Sequence, residues 1–319
     1  MTAAAVLAAY AIVATLAPWR RREPRALAGW AGRAPRLAIA VWLAACASVV
    51  ASALLAAVAV ALPAPAVGHR LAELFEVCAM LFSEGGVPAS PFAGAALSCA
   101  GLVVARVVYC GAAVLIGAGR ERRRHAGMLD VLGRHDGELG AIVLDHGEAV
   151  AYCLPGRRGR AVITTGALGS LAPEQVAAVL AHERAHLRGR HHLVLAAAEA
   201  LSMAFFRLPL FARARSEIAR LVELLADDVA ARRHPRVHIA AALVRLATGN
   251  APAFALGAGG ETALIRVRRM LSPAPPLGRG ERLAGLAALG ALLAGPAAVV
   301  AIPGVGSFLA HHCHTISLF

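Results

Sequence analysis

The chain has 319 residues, of which 59% are hydrophobic and 16% are charged, and its mean hydropathy is +0.65. These values exclude a pair of ordinary soluble domains and indicate a membrane protein. The formal net charge of +13 comes from arginines beside apolar runs with few aromatic residues among them, so positive-inside anchoring explains it better than direct nucleic-acid binding.

Three apolar segments near the N-terminus predict membrane spans, at about residues 2–18, 37–62 and 92–117. Arginines follow the first segment at residues 20–22 and the third at residues 120–124. Basic residues concentrate on the cytoplasmic side of a membrane. We therefore expect residues 1–118 to place the N-terminus outside and to deliver the following segment to the cytoplasm.

Arg106 interrupts the third predicted span, where a charge is costly enough to suggest a role. It could pair with a carboxylate or belong to a site reached from the side of the following segment. Alternatively, the span begins earlier and the Arg106 side chain snorkels to the inner interface. We favour this last interpretation.

Residues 119–282 have a mixed composition and predict a separate domain that contains both strands and helices. Short β-type runs around a turn-rich segment predict strands, at residues 141–144, 150–154 and 161–165. Pro173 then suits the first turn of a helix, which should run to about Leu187.

This helix carries an H-E-x-x-H motif, from His182 to His186. The four-residue spacing places both histidines on one face of the helix with Glu183 beside them. Two imidazoles one turn apart can share a zinc ion and leave a position open for water, whose proton Glu183 would handle. A surface helix with two solvated histidines would show the same motif, so other residues must decide.

An acidic helix downstream, Ser216 to Asp228, supplies the carboxylate that such a site lacks. Glu223 and Asp227 are also four residues apart, so they lie on one face. Glu223 can bind the metal while Asp227 hydrogen-bonds the outer nitrogen of a ligand histidine. The alternative is an ordinary solvated acidic helix.

Two further apolar stretches lead to different predictions. Leu193 to Phe211 is interrupted by Glu199 and Arg207, so we expect a helix buried in the domain or lying on the membrane. A span there would separate Glu223 from His182. Residues 283–310 are uncharged and predict a fourth span, which leaves residues 311–319 as a short tail outside.

The sequence resembles the BlaR/MecR-type antirepressor family of integral-membrane zinc metallopeptidases, which are gluzincin-like and related to the HtpX and CAAX-protease group. The resemblance covers nearly the whole chain and is sharpest at the H-E-x-x-H motif, at residues 204–211 and at Glu223 to Asp227. It implies a mainly α, polytopic protein of a bacterial inner (plasma) membrane. About four transmembrane helices would hold a cytoplasmic α+β zincin-like metallopeptidase domain between the third and the fourth.

The resemblance also implies the chemistry. Zn2+ would be held by His182, His186 and Glu223, with Glu183 catalysing peptide hydrolysis and Asp227 supporting a ligand. The substrate would be a cytoplasmic or membrane-adjacent protein, such as a transcriptional repressor, added in extended form to the strand near residues 149–154. The named antirepressors carry an extracellular penicillin-binding domain after the last span, whereas this sequence ends in a nine-residue tail. We therefore do not extend the resemblance to β-lactam sensing.

Two other functions stay open, namely HtpX-like quality control of membrane proteins and a non-catalytic membrane transducer or scaffold. The intact Glu183 counts against the second, because a structural zinc site does not need that carboxylate. The expected partners are a protein substrate and the lipid bilayer, while the sequence does not indicate an oligomeric state. Surface or interface roles are expected for His191 and His192. An oxyanion-stabilising cation is expected among three residues chosen by position, Arg232, Arg233 and His234.

Overall fold

The structure is a computed structural model that describes residues 2–16, 25–61, 91–156, 159–249 and 259–316. Within these ranges the chain forms eleven helices and one four-stranded sheet. The helices are α1 (Thr2–Leu16), α2 (Arg25–Arg33), α3 (Pro35–Ala61), α4 (Pro91–Leu132), α5 (Thr165–Ser170), α6 (Pro173–Arg188), α7 (His191–Ala204), α8 (Pro209–Ala230), α9 (Arg236–Gly249), α10 (Gly259–Leu271) and α11 (Arg279–Ile316). The strands are β1 (Gly133–Asp136), β2 (Ala141–Leu144), β3 (Ala151–Leu154) and β4 (Arg160–Thr164).

Three of the described helices, α3, α4 and α11, are long and apolar enough to cross a membrane. They coincide with the predicted second, third and fourth spans. Helix α1 has 15 residues, or about 22 Å, which is shorter than the roughly 20 residues that a bilayer requires. The prediction of four spans is therefore supported for three helices. The predicted outer loop at residues 63–90 and residues 317–319 of the predicted tail lie outside the described residues.

Helix α3 is the centre of the helix bundle, because it contacts α1, α4, α8 and α11. Small side chains allow close approach, as where α11 crosses α3: a Cβ atom on Gly285 would lie 2.7 Å from Leu37 Cδ2. The hydroxyl groups of Tyr10 and Ser48, 3.2 Å apart, join α1 to α3. At the start of α11, Glu281 accepts hydrogen bonds from Arg33.

Helix α4 continues well beyond the predicted span. Its 42 residues run without a break through the arginines of residues 120–124 to Leu132, a length of about 63 Å. The chain then enters β1 directly. Gly133 permits this junction, because a Cβ atom there would lie 2.4 Å from Ile142 Cγ2 and 2.6 Å from the Leu129 carbonyl oxygen.

The sheet has the strand order β1-β2-β4-β3. Strands β2 and β4 are parallel, while β1 and β3 pair antiparallel with β2 and β4 respectively. The three predicted strands are present as β2, β3 and β4. Strand β1 was not predicted, since its sequence, Gly133-Arg134-His135-Asp136, lacks the apolar and β-branched residues that indicate a strand. Strand β3 is an edge of the described sheet.

Helix α6 packs on one face of the sheet through a buried cluster that includes Val143, Ile163, Val176 and Leu180. Its first residue is Pro173, and the Gln175 side chain accepts a hydrogen bond from the Ala172 backbone amide at 3.1 Å. These contacts fix the direction in which α6 crosses the strands.

Helices α7 and α8 form an antiparallel pair that packs against α4 and α3 respectively. The apolar stretch from Leu193 to Phe211, for which a helix was predicted, forms most of α7, a turn at residues 205–208 and the start of α8. Neither helix is among the candidate spans in the described part of the chain. Phe211, Ile218 and Leu221 of α8 are buried in one cluster with residues of α3.

Gly166 should be essential for folding, because a Cβ atom there would lie 2.2 Å from the Gly147 carbonyl oxygen. We expect Gly166→Ala to lower the free energy of unfolding by about 1–3 kcal/mol through overpacking, measured by thermal unfolding in detergent. Gly169→Ala is the matched control in the same helix, since no atom lies within 4 Å of the position that its methyl group would occupy. Equal stability of the two variants would contradict this account.

Candidate metal centre

Helices α6 and α8 bring three ligand-type side chains together. His182 and His186 lie one turn apart on α6, and their Nε2 atoms are 3.1 Å apart. The two carboxylate oxygens of Glu223, on α8, lie 3.5 Å from these nitrogens, one oxygen to each. One ligand atom from each residue lies within 4.8 Å of the others. The three side chains thus converge on one point.

These distances fit a tetrahedral zinc site. With bonds of about 2.0–2.1 Å, the ligand atoms of such a site lie about 3.3–3.4 Å apart, close to the observed 3.1 and 3.5 Å. Burial and the neighbouring His182 lower the pKa of His186. His186 is therefore held as the neutral imidazole that binds a metal. Two nitrogens and one carboxylate oxygen are also the donor set that zinc accepts.

Asp227 lies behind His182, where its Oδ1 atom is 2.9 Å from His182 Nδ1. Its side chain is completely buried. Burial would raise the pKa of Asp227, but hydrogen bonds from Arg266 and the contact with His182 outweigh it and lower the pKa to about 2. Asp227 is therefore an ionised acceptor that orients the His182 ring with Nε2 towards the ligand cluster.

Arg266, on α10, is the residue of this site that the sequence did not reveal. Its Nε and Nη2 atoms each donate to one oxygen of Asp227 at 2.8 Å. Its Nη1 atom lies 3.0 Å from Glu223 Oε2, and Nη2 lies 3.4 Å from His182 Nε2. One guanidinium group thus holds Glu223 and Asp227 of α8 in position. No local spacing links Arg266 to the two motifs, since it follows Asp227 by 39 residues.

His191 is buried, so of its two predicted roles the surface role is wrong, while a role at the interface between α6 and α7 agrees with its position. Its Nδ1 atom lies 3.1 Å from Nδ1 of His186, and only 4% of the residue is exposed. Arg190 makes this contact possible by adopting a left-handed conformation, with φ of 48°, between α6 and α7. His191 therefore supports His186 from behind, as Asp227 supports His182.

Glu183 lies between the ligand cluster and β3. Its carboxylate interacts electrostatically with the Cys153 thiol of that strand. Burial raises the pKa of Glu183, and burial together with the Glu183 charge raises the pKa of Cys153 to about 12. The thiol therefore stays protonated and can donate to the carboxylate. Strand β3 consequently passes directly beside Glu183.

The three positional candidates for an oxyanion-stabilising cation lie elsewhere. Together with residues of α6, they line a cavity of about 180 Å³, whose lining includes Arg184, Arg188, Arg232, Arg233 and His234. The α6 residues of this cavity occupy a different helix face from His182 and His186. The arginine that the structure places at the ligand cluster is Arg266.

Zinc affinity should depend on Arg266. We expect Arg266→Met to weaken zinc binding by about 10- to 100-fold, because Glu223 and Asp227 lose the group that positions them. The measurement is a competitive titration with a chelator in detergent. Arg268→Met is the matched control, since Arg268 is exposed on the same helix. Unchanged affinity in a folded Arg266→Met protein would contradict a positioning role.

A scan against known protein families matches residues 118–283 to peptidase family M48. Neither the curated proteins nor the solved structures contain a match to the chain. The matched region includes the sheet, helices α5 to α10 and every side chain of the ligand cluster. Since the match covers slightly more than half of the chain, the protein belongs to peptidase family M48, a family of metallopeptidases.

Proposed function

We propose that the protein is a membrane-embedded zinc endopeptidase that hydrolyses a peptide bond in a cytoplasmic or membrane-adjacent protein. The observation that carries the proposal is the convergence of His182, His186 and Glu223, with Glu183 beside them, in a chain of family M48. Membrane-crossing helices on both sides of the matched region support membrane attachment.

His182, His186 and Glu223 would hold the zinc ion. When bound, zinc lowers the pKa of a water molecule towards about 7 and polarises a carbonyl group. Asp227 and His191 keep the two imidazoles oriented from behind, and Arg266 keeps Glu223 turned towards them.

Glu183 acts as the proton carrier. It accepts a proton from the water that attacks the scissile carbonyl carbon, and it delivers this proton to the nitrogen of the leaving amine. The carbon–nitrogen bond breaks, and the products are a carboxylic acid and an amine. The Cys153 thiol of β3 is the neighbour that can donate to the Glu183 carboxylate during these transfers.

Strand β3 offers a place for the substrate backbone. It is the edge of the described sheet, pairs only with β4 there, and passes beside Glu183. An extended peptide could add to this edge by main-chain hydrogen bonds, with alternate side chains facing the ligand cluster. This mode would select for unfolded or extended segments and would place one peptide bond near Glu183.

The proposed orientation in the membrane is the one that the distribution of arginines predicts. Residues 1–118 would contain the first spans, residues 119–282 the cytoplasmic peptidase domain, residues 283–310 the last span and residues 311–319 an outer tail. In a bacterial plasma membrane this puts the N-terminus outside, the peptidase domain inside and the C-terminus outside.

The identity of the substrate separates the possible roles. The resemblance to BlaR/MecR-type proteins favours a transcriptional repressor, cut at a defined site. Broad cleavage of misfolded membrane proteins would instead indicate quality control of the HtpX type. Trapping with Glu183→Gln, followed by identification of the retained proteins, distinguishes one defined substrate from many.

The catalytic role of Glu183 predicts a selective loss. Glu183→Gln should keep zinc binding but lower peptide hydrolysis by about 10²- to 10⁴-fold, because no group carries the proton. Hydrolysis of an unstructured protein and zinc content are measured on the same purified sample. Glu174→Gln, an exposed change in the first turn of the same helix, is the control and should leave both unchanged. Full activity in Glu183→Gln would remove Glu183 from the mechanism.

The orientation can be tested with reporter fusions. A reporter that is active only in the cytoplasm should give signal when fused after Gly137, in the turn between β1 and β2. A reporter that is active only outside should give signal when fused to the C-terminus. Exterior signal at Gly137 would reverse the whole topology.

A further inference from the structure

We propose that α7, the turn at residues 205–208 and α8 form a re-entrant hairpin that is inserted into the hydrocarbon core of the bilayer. The hairpin enters from the side of the metal centre and turns back without crossing. Its partner is therefore the lipid acyl chains. Insertion of the hairpin does not depend on peptidase activity.

Helix α7 packs along α4, and one hydrogen bond and one electrostatic interaction give its direction. At the start of α7, burial and the charge of Arg122 lower the pKa of His192, which places this end beside the arginine cluster. At the other end, Arg106 Nε donates a hydrogen bond to the Ala204 carbonyl oxygen at 2.6 Å. Helix α7 therefore runs antiparallel to α4, from the arginine cluster towards the middle of its apolar segment.

The depth of the turn follows from helix geometry. Arg106 precedes Arg120, the first arginine of the cluster, by 14 residues, or about 21 Å along the helix axis. The hydrocarbon core is about 30 Å thick. Exposed apolar residues continue along α4 to Leu115 and Ile116, so lipid should surround this part of the helix. A turn at the level of Arg106 thus lies well inside the core.

Helix α8 shows the same placement relative to α3. Near the end of α8, Asp228 is bonded by Arg269, which also donates to the Gly32 carbonyl oxygen just before α3 begins. Near its start, Phe211 is buried in the cluster that contains Cys46 and Val49 of α3. Because α3 is itself a candidate span from Pro35 onwards, the first half of α8 lies beside membrane-spanning residues.

Most side chains at the turn are suited to lipid, although Arg207 is charged and exposed. Phe206 is 66% exposed and Met203 is 40% exposed, and burial of this apolar surface in acyl chains is favourable. Backbone groups at a helix end need partners inside a bilayer. Arg106 supplies one for the last turn of α7. The two arginines of this region also lie over the Phe206 ring, Arg106 at 5.6 Å and Arg207 at 5.4 Å from its centroid.

The acidic side chains of the hairpin within this depth are paired. Glu199 of α7 is bonded to Arg215 of α8, across the hairpin. Glu217 is paired with Arg220 at 2.9 Å and with Arg213 at 3.3 Å. Pairing lowers the cost of placing charges in a membrane. In this proposal Arg106 acts as a cap for the hairpin, in contrast to the snorkelling to the inner interface that the sequence favoured.

The depth is tested with a fluorescent amino acid at position 206. In vesicles of phosphatidylcholine brominated near the middle of the acyl chains, we expect it to lose as much fluorescence as the same probe at Leu102, an exposed position of α4. The probe at Gly137, in the turn between β1 and β2, should be unquenched. Quenching at position 206 only by lipids brominated near the headgroup, or only by aqueous iodide, would overturn the proposal.

The role of Arg106 is tested by hydrogen exchange in nanodiscs. Arg106→Met should speed amide exchange at residues 203–208, because the helix end loses its partner in the bilayer. Arg123→Met, an exposed change in the arginine cluster of the same helix, should not. Equal exchange in the two variants would show that Arg106 does not hold the turn.

Discussion

A fully buried carboxylate needs compensating charge, and the folding of this domain depends on how Asp227 obtains it. Arg266 donates two hydrogen bonds to Asp227, and His182 lies against the same carboxylate. Since these residues come from α10, α8 and α6, one buried charge network ties three helices together. The same network orients a metal ligand, so the stability of the domain and the geometry of the site are linked. Loss of one member would leave the remaining buried charges less well compensated, which is costly.

The sequence predicted what depends on local spacing. His182 and His186, and likewise Glu223 and Asp227, are four residues apart, so their common faces follow from helix geometry alone. Arg266 and His191 were missed for two different reasons. Arg266 meets Asp227 only through tertiary packing, and His191 reaches His186 because Arg190 adopts a left-handed conformation that its residue type does not favour. Strand β1 was missed because its pairing with β2, and not its composition, makes it a strand.

The membrane helices and the metal centre are more closely joined than the predicted division into domains suggests. Helix α8 carries Glu223 in its second half and packs against α3 from Leu210 to Leu224. If the hairpin is inserted as proposed, Glu223 lies about 21 Å along α8 from its start at the turn, close to the membrane surface. A substrate segment anchored in the same membrane would then reach the metal centre without leaving the membrane surface. Soluble proteins would first need to approach the lipid headgroups.

The unbroken helix α4 has a mechanical consequence. A helix of 42 residues is about 63 Å long, and it enters β1 without a linker. A tilt of about 5° around one end would therefore displace the other by about 5 Å, as much as the spacing between neighbouring strands. Because β1 lies in the sheet whose opposite edge is β3, the lever ends on the layer that would hold substrate. A tilt of α4 in the membrane would thus shift the strands beside Glu183.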